Sequence, residues 1–312
     1  MSEKPIVITM GDPAGVGAEV TVKAIASLPF EERACKVCDL SLRLTEYGSP
    51  VEGALSLVHV PVDGLPGKFG VVEAACGEAS YRYIVKAVEM TMSGQAGAIV
   101  TAPLSKEALN AAGHHYDGHT GMLADLTGSK SSRMLLASPT LNVIHVSTHV
   151  SLKDAITKRA MPQRIYETIV TGYRHMQRMG IEAPRIGVAG INPNCGENGL
   201  FGREDDLQVT PGVERAKADG IDVVGPIPAD TAYYRAHTGD FDLMVAQYHD
   251  QGHIPVKLIA FDTAINCSLG LPIDRCSVDH GTAFGIAGTG VAKHVNMLAA
   301  LDYGKKLAST RG

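Results

Sequence analysis

Gln247-Tyr248-His249-Asp250-Gln251-Gly252-His253-Ile254-Pro255-Val256-Lys257 puts imidazole, carboxylate and ammonium groups into one short stretch. A neutral imidazole can hold a divalent ion or move a proton, and a lysine can bind an anion or accept a proton. The run Asp242-Leu243-Met244-Val245-Ala246 before it is short enough for a buried strand. The stretch is therefore expected as a loop at a strand's carboxyl end, with Gly252 bending the backbone. Open α/β sheets bind ligands at such loops. A core histidine capped by its neighbour is the plainer alternative.

Other clusters carry similar chemistry. Gly113-His114-His115-Tyr116-Asp117-Gly118-His119-Thr120-Gly121 holds three histidines between glycines. Strand 141–146 leads into Ser147-Thr148-His149, and an unbroken strand would turn His145 and His149 to one face. That pair could bind a metal or simply face solvent. Gly190-Ile191-Asn192-Pro193-Asn194-Cys195-Gly196-Glu197-Asn198-Gly199 is dense in polar groups, and Asp230 follows a further strand.

The elements that would position these groups alternate. Residues 6–10 read as a strand, Gly11-Asp12-Pro13-Ala14-Gly15-Val16-Gly17 as a glycine loop, and 20–28 as a helix. The loop lacks the dinucleotide G-x-G-x-x-G spacing, so it is either a tight turn or a backbone approach to a ligand. Strands are expected at 35–40, 55–60, 98–100, 186–189 and 265–271, with irregular chain from Glu46 and on to Phe69. Helices are expected at 78–92 and 162–179, with another at the end of the chain. The class is α/β.

Composition narrows the function. The chain has 312 residues, 45% of them hydrophobic, which is enough for two domains or subdomains. A net charge of −5 without a basic run argues against nucleic acid. No apolar stretch could span a bilayer, and the first residues do not read as a signal peptide, so a cytoplasmic location is expected. Six cysteines make no disulfide framework. Cys35 and Cys38 form a lone C-x-x-C without the second pair of a zinc ribbon, and read as ordinary thiols.

Taken together, the blocks I-T-M-G-D-P-A-G-V-G, T-A-P-L-S-K-E-A-L, G-H-T, H-V-S-T-H, G-I-N-P with G-E-N-G-L-F-G, P-A-D-T, Y-H-D-Q-G-H-I-P-V-K and S-V-D-H-G-T-A-F resemble the 4-hydroxythreonine-4-phosphate dehydrogenase family across nearly the whole chain. The branch most similar oxidises 4-phospho-D-threonate and 4-phospho-D-erythronate. The resemblance implies two α/β/α subdomains with a central cleft, as in isocitrate and isopropylmalate dehydrogenases. Residues 1–125 and 265–312 would form the cofactor side, and 126–264 the metal-binding and dimerisation side. It also implies a homodimer with a shared active site.

By resemblance, His149 and His249 are divalent-metal ligands, and Asn194 stands where a third ligand, usually histidine, is found. The ion could be Zn, Mg, Mn, Co or Ni, and an amide oxygen suits magnesium or manganese better than zinc. His119, Thr120, Lys257, Asn266 and Arg275 would bind a small anionic substrate. Lys257 or Asp230 would serve as base beside His249. His280, Gly281, Thr282, Ala283 and Gly288 would hold NAD, with NADP as the alternative, on a loop similar to H-G-S-A-P-D-I-A-G. The expected reaction is NAD-dependent, metal-assisted oxidation of a 4-phosphorylated hydroxy acid, 4-phosphohydroxy-L-threonine included, with decarboxylation. The alternatives are a cis-dihydrodiol dehydrogenase of an aromatic dicarboxylate such as terephthalate, and a non-catalytic acid-binding relative.

Overall fold

The computed structural model describes residues 4–29, 35–38, 56–129 and 132–310. In chain order, β1 (Ile6–Thr9), α1 (Gly17–Ser27), β2 (Cys35–Cys38), β3 (Ser56–Val58), α2 (Ala74–Met92), β4 (Ile99–Thr101), α3 (Lys106–Ala111) and α4 (His119–Leu126) belong to a first compact unit. The second unit, Arg133–Gly270, holds β5 (Arg133–Ala137), β6 (Val143–His145), α5 (Leu152–Asp154), α6 (Pro162–Arg178), β7 (Ile186–Ala189), α7 (Thr210–Ala218), β8 (Val223–Ile227), α8 (Ala229–His237), β9 (Leu243–Ala246), α9 (His249–Ala260) and β10 (Ile265–Leu269). The chain then returns to the first unit with β11 (Arg275–Val278) and α10 (Val295–Ser309). Residues 265–270 stay with the second unit because β10 pairs antiparallel along all of β5.

In the first unit the described strands run in the order β3-β2-β1-β4-β11, all parallel. Such strands carry apolar side chains on both faces, and all four residues of β1 are buried. The second unit is mixed, in the order β10-β5-β6-β9-β7-β8. Its two antiparallel pairings, β10 with β5 and β5 with β6, precede a parallel run. β6 and β9 are parallel neighbours in this run, so the loops that follow their carboxyl ends start side by side. No helix among the described residues is long and apolar enough to cross a membrane. The side chains of Cys35 and Cys38 and residues 46–55 of the expected irregular chain lie outside the described residues, while 59–69 is described and forms neither helix nor strand.

The glycine motif after β1 receives protein rather than open space. A Cβ on Gly11 would lie 2.1 Å from the Pro103 carbonyl oxygen, and one on Gly17 would lie 2.0 Å from that of Met10. Helix α1 begins inside the motif, at Gly17, three residues earlier than the apolar periodicity indicates. Asp12 is wholly buried in this turn and accepts a hydrogen bond from Ala14 N–H at 2.8 Å. Burial outweighs that bond and raises its pKa to about 6.

Between the unfolded value near 3.8 and the folded value of about 6, the folded state holds the extra proton, so this residue's contribution to stability falls as pH rises. Asp12→Asn, which mimics the protonated form, should match the parent at about pH 4. It should exceed the parent by on the order of 1–3 kcal/mol at about pH 8 in urea unfolding. A gap of equal size at both pH values would contradict the assignment.

Candidate active site: two half-sites

The stretch after β9 is a helix, not a loop. His249 opens α9, and both Gly252 and Pro255 lie within it. Gly252 does not bend the backbone. It makes room, since a Cβ there would lie 2.3 Å from His145 Nε2. Helical spacing then sets His249, His253 and Lys257 along one side of α9, one turn apart. The apolar strand with its Gly and Pro looked like strand and loop, and the four-residue His-to-His-to-Lys spacing was the signal for a helix.

His149 and His249 come together. Their ring centroids are 5.8 Å apart, tilted by 43°, and both line one 440 Å³ pocket with Thr148, Tyr248 and Asp250. Two imidazoles on one ion at about 2.1 Å place their ring centres roughly 5–6 Å apart, so this separation fits a shared divalent ion. Asp250 Oδ1 lies 2.6 Å from His249 Nδ1. With the proton on Nδ1, His249 donates to the carboxylate and keeps its Nε2 lone pair for a metal, the usual arrangement around a ligating histidine.

His145 does not share a face with His149, because β6 stops at His145 and the intervening residues turn. It is buried, with Nδ1 3.3 Å from the Met134 carbonyl, and burial pushes its pKa down to about 3. Its neighbour is His253, with ring centroids 4.6 Å apart. His253 in turn stacks on His249 at 3.6 Å and 9°, and its Nδ1 lies 3.0 Å from the His249 carbonyl. Burial first, and then the charge of His249, lower the pKa of His253 to about 4. Near-parallel stacked rings cannot both aim in-plane lone pairs at one ion, so His253 is a support for His249 rather than a third ligand.

Asn194 sits apart from a clear ligand role. Asn194, Cys195, Gly196, Glu197 and Asn198 all have positive φ, a left-handed turn tied down where Asp205 accepts the N–H groups of Ile191 and Asn192. Asn194 is exposed and its amide donates to Glu197 at 2.9 Å. Among the described residues no group of three His, Cys, Asp or Glu side chains could hold a metal. Asp230, in the first turn of α8, is exposed, and its charge acts with that of Asp205 to help raise the Cys195 pKa. Lys257 lies over the Phe261 ring, and Asn266 is on β10 opposite Leu136.

The first unit carries a half-site of its own. His119 and Thr120 start α4, whose N-cap Gly118 provides no side-chain cap. His119 Nε2 is sealed from solvent without a hydrogen-bond partner. Burial, then the charges of Arg275 and Lys106, hold its pKa well below the ordinary value, so the ring is neutral. Arg275 is 2% exposed, and its Nε and Nη2 donate to Thr101 Oγ1 at 3.2 and 2.6 Å across the β4–β11 pairing. The other two histidines of that cluster have local partners. His114 stacks on Tyr81 and meets Glu78 at 2.7 Å, and His115 meets Asn110.

The loop from His280 to Gly288 rests on the glycine motif of β1. Val16 N–H donates to the Thr282 carbonyl at 3.0 Å, and a Cβ on Gly15 would lie 3.1 Å from Thr282. Gly288 packs on the Phe69 ring, where a Cβ would lie 2.3 Å away. Lys23 bonds to Glu19 and to the carbonyls of Gly290 and Ala292, while Glu19 accepts the Ala292 N–H. Ala283 has φ +45°, a conformation costing about 1 kcal/mol or more. His280 Nε2 is a buried atom with no partner, as a loop that receives a polar ligand would leave it. Gly281 is exposed.

Residues 7–304 match the family model described as "Pyridoxal phosphate biosynthetic protein PdxA". A D-threonate 4-phosphate dehydrogenase from Cupriavidus necator is 47% identical, over 97% of this chain and 97% of its own. The crystal structure of a 4-hydroxythreonine-4-phosphate dehydrogenase from Klebsiella pneumoniae has a TM-score of 0.86 at 39% identity, covering 98% of this chain and 99% of its own. A terephthalate 1,2-cis-dihydrodiol dehydrogenase from Burkholderia xenovorans is more distant, with a TM-score of 0.70 at 30% identity and coverage of 97% and 98%. Dehydrogenases matched along nearly their whole length define the class as an α/β oxidoreductase. Within that class, the chain belongs to the PdxA family.

Proposed function

We propose that the chain catalyses NAD-dependent, divalent-metal-assisted oxidation of a 4-phosphorylated hydroxy acid, with 4-phospho-D-threonate the preferred candidate and decarboxylation following. The observation that carries the metal-assisted reading is the His149–His249 pair on one pocket, with Asp250 on the Nδ1 side of His249. The substrate class rests on the D-threonate 4-phosphate dehydrogenase at 47% identity, against 30% for the dihydrodiol enzyme. 4-Phospho-D-erythronate and 4-phosphohydroxy-L-threonine remain in the same class.

When bound, a divalent ion would acidify the substrate alcohol and the dinucleotide would take up the hydride. His149 and His249 would hold the ion, with Asn194 a weaker candidate for a further ligand. Lys257, two turns along α9 from His249, would take the hydroxyl proton directly or through water. Asp230 is the less favoured base, being exposed and without a hydrogen bond or ion pair among the described residues. By the family resemblance, His119, Thr120, Arg275, Asn266 and Lys257 would hold the anionic groups. Oxidation at C3 gives a 3-oxo acid, which loses carbon dioxide readily. His280, Gly281, Thr282, Ala283 and Gly288 would hold the cofactor.

A homodimer with a shared site is part of the proposal. Apolar side chains on and just beyond α9 support it: Ile254 is 63% exposed, Leu258 84% and Phe261 70%. That much exposed apolar surface on one short segment marks an association face. NADH production from 4-phospho-D-threonate, abolished by chelator and restored by a divalent ion, is the expected result. Equal turnover with and without chelator would remove the metal from the mechanism.

A further inference from the structure

Lys106 stands at an electrostatically poor position for helix α3, since a cation in the first turn faces the positive end of the helix dipole. Its side chain is nevertheless directed to the start of α4. A Cβ on Gly118 would lie 3.7 Å from Lys106 Cε, and the lysine charge acts on the neighbouring His119 together with that of Arg275. No carboxylate among the described residues pairs with it. Around this point are two cations, a buried His119 Nε2 without a partner, the Thr120 hydroxyl and a helix start with no side-chain cap. This collection is rich in donors and carries more positive charge than one carboxylate requires.

We propose that Lys106 is a phosphate-binding residue of the first-unit half-site, acting with Arg275 and selecting a phosphate dianion over a singly charged carboxylate. The inference rests on the reading that His119 and Arg275 hold the substrate's anionic group. Lys106 is exposed and forms the N-terminal residue of its helix, so its replacement does not disturb the core.

The test is steady-state kinetics of the full chain with 4-phospho-D-threonate and NAD, with inorganic phosphate as inhibitor. Lys106→Met, which keeps the stem, should raise KM for the phosphorylated acid about ten- to a hundredfold, the loss of one charge-assisted hydrogen bond. The inhibition constant for phosphate should rise by a similar factor, and KM for NAD should stay the same. Lys106→Arg should recover most of both losses. Unchanged KM and phosphate inhibition in Lys106→Met, with both raised in Arg275→Met, would overturn the role of Lys106 and leave the half-site reading standing. If neither variant changed them, the half-site reading itself would fall. Lowered thermal stability without weaker phosphate inhibition would also overturn the proposal.

Discussion

His249→Ala should lower kcat at least about 10³-fold if the proposed divalent ion is held there, because such a cation would contribute several kcal/mol to stabilising the developing charge and each 1.36 kcal/mol is tenfold in rate. The loss should be one of metal binding as well as turnover, so calorimetric titration of the divalent ion should show affinity falling in parallel. The fold should survive. The His249 side chain is 38% exposed at the first turn of α9, and the buried strand before it is unaffected. Full turnover in this variant would show that the imidazole pair is not the centre of the chemistry.

The second large effect is expected at Arg275. Its guanidinium is buried and fixed by two hydrogen bonds to Thr101 Oγ1, so the cost of aligning it is met during folding and not on binding. Arg275→Met should raise KM for the phosphorylated acid roughly 10²- to 10³-fold, the loss of a bidentate, charge-assisted contact in a dry site. Arg275→Lys should rescue little, because an ammonium cannot donate to Thr101 and present a planar fork at the same time. A large drop in melting temperature with unchanged KM would make Arg275 a structural residue.

The pairing of His149 with His249 was legible in the sequence through the family motifs alone, and the fold supplies its physical reason. His149 and His249 each follow a short apolar strand, and those strands, β6 and β9, are parallel neighbours. Segments that follow adjacent parallel strands start side by side, which explains why the two histidines meet, but only the family motifs paired them in the sequence, since strand order cannot be read from it. The helical state of 249–260 was hidden because Gly252 and Pro255 are normally signs of a turn. Here a tertiary contact decides, the approach of His145 Nε2 to Gly252. The stack of His253 on His249 depends on that helix and was invisible without it. Likewise, the glycines of residues 11–17 read equally as a tight turn or a ligand shelf. Only the packing of Pro103, Met10 and Thr282 against them shows that they accommodate backbone and carry the loop of His280. Lys106 lies in the T-A-P-L-S-K-E-A-L block, but no role for it was legible there, because what marks it is the nearness of Gly118 and His119 at the start of another helix.

Oxidation of a phosphorylated four-carbon hydroxy acid, as proposed, is decided by one comparison of substrates. Initial rates of NADH formation would be measured with 4-phospho-D-threonate and with a terephthalate-type cis-dihydrodiol, each with NAD and a divalent ion. The kcat/KM for the phosphorylated acid should be the larger by at least about 10³, the value of a phosphate held by buried and charge-assisted donors. A higher kcat/KM for the dihydrodiol, or no turnover of the phosphorylated acid under any divalent ion, would contradict it.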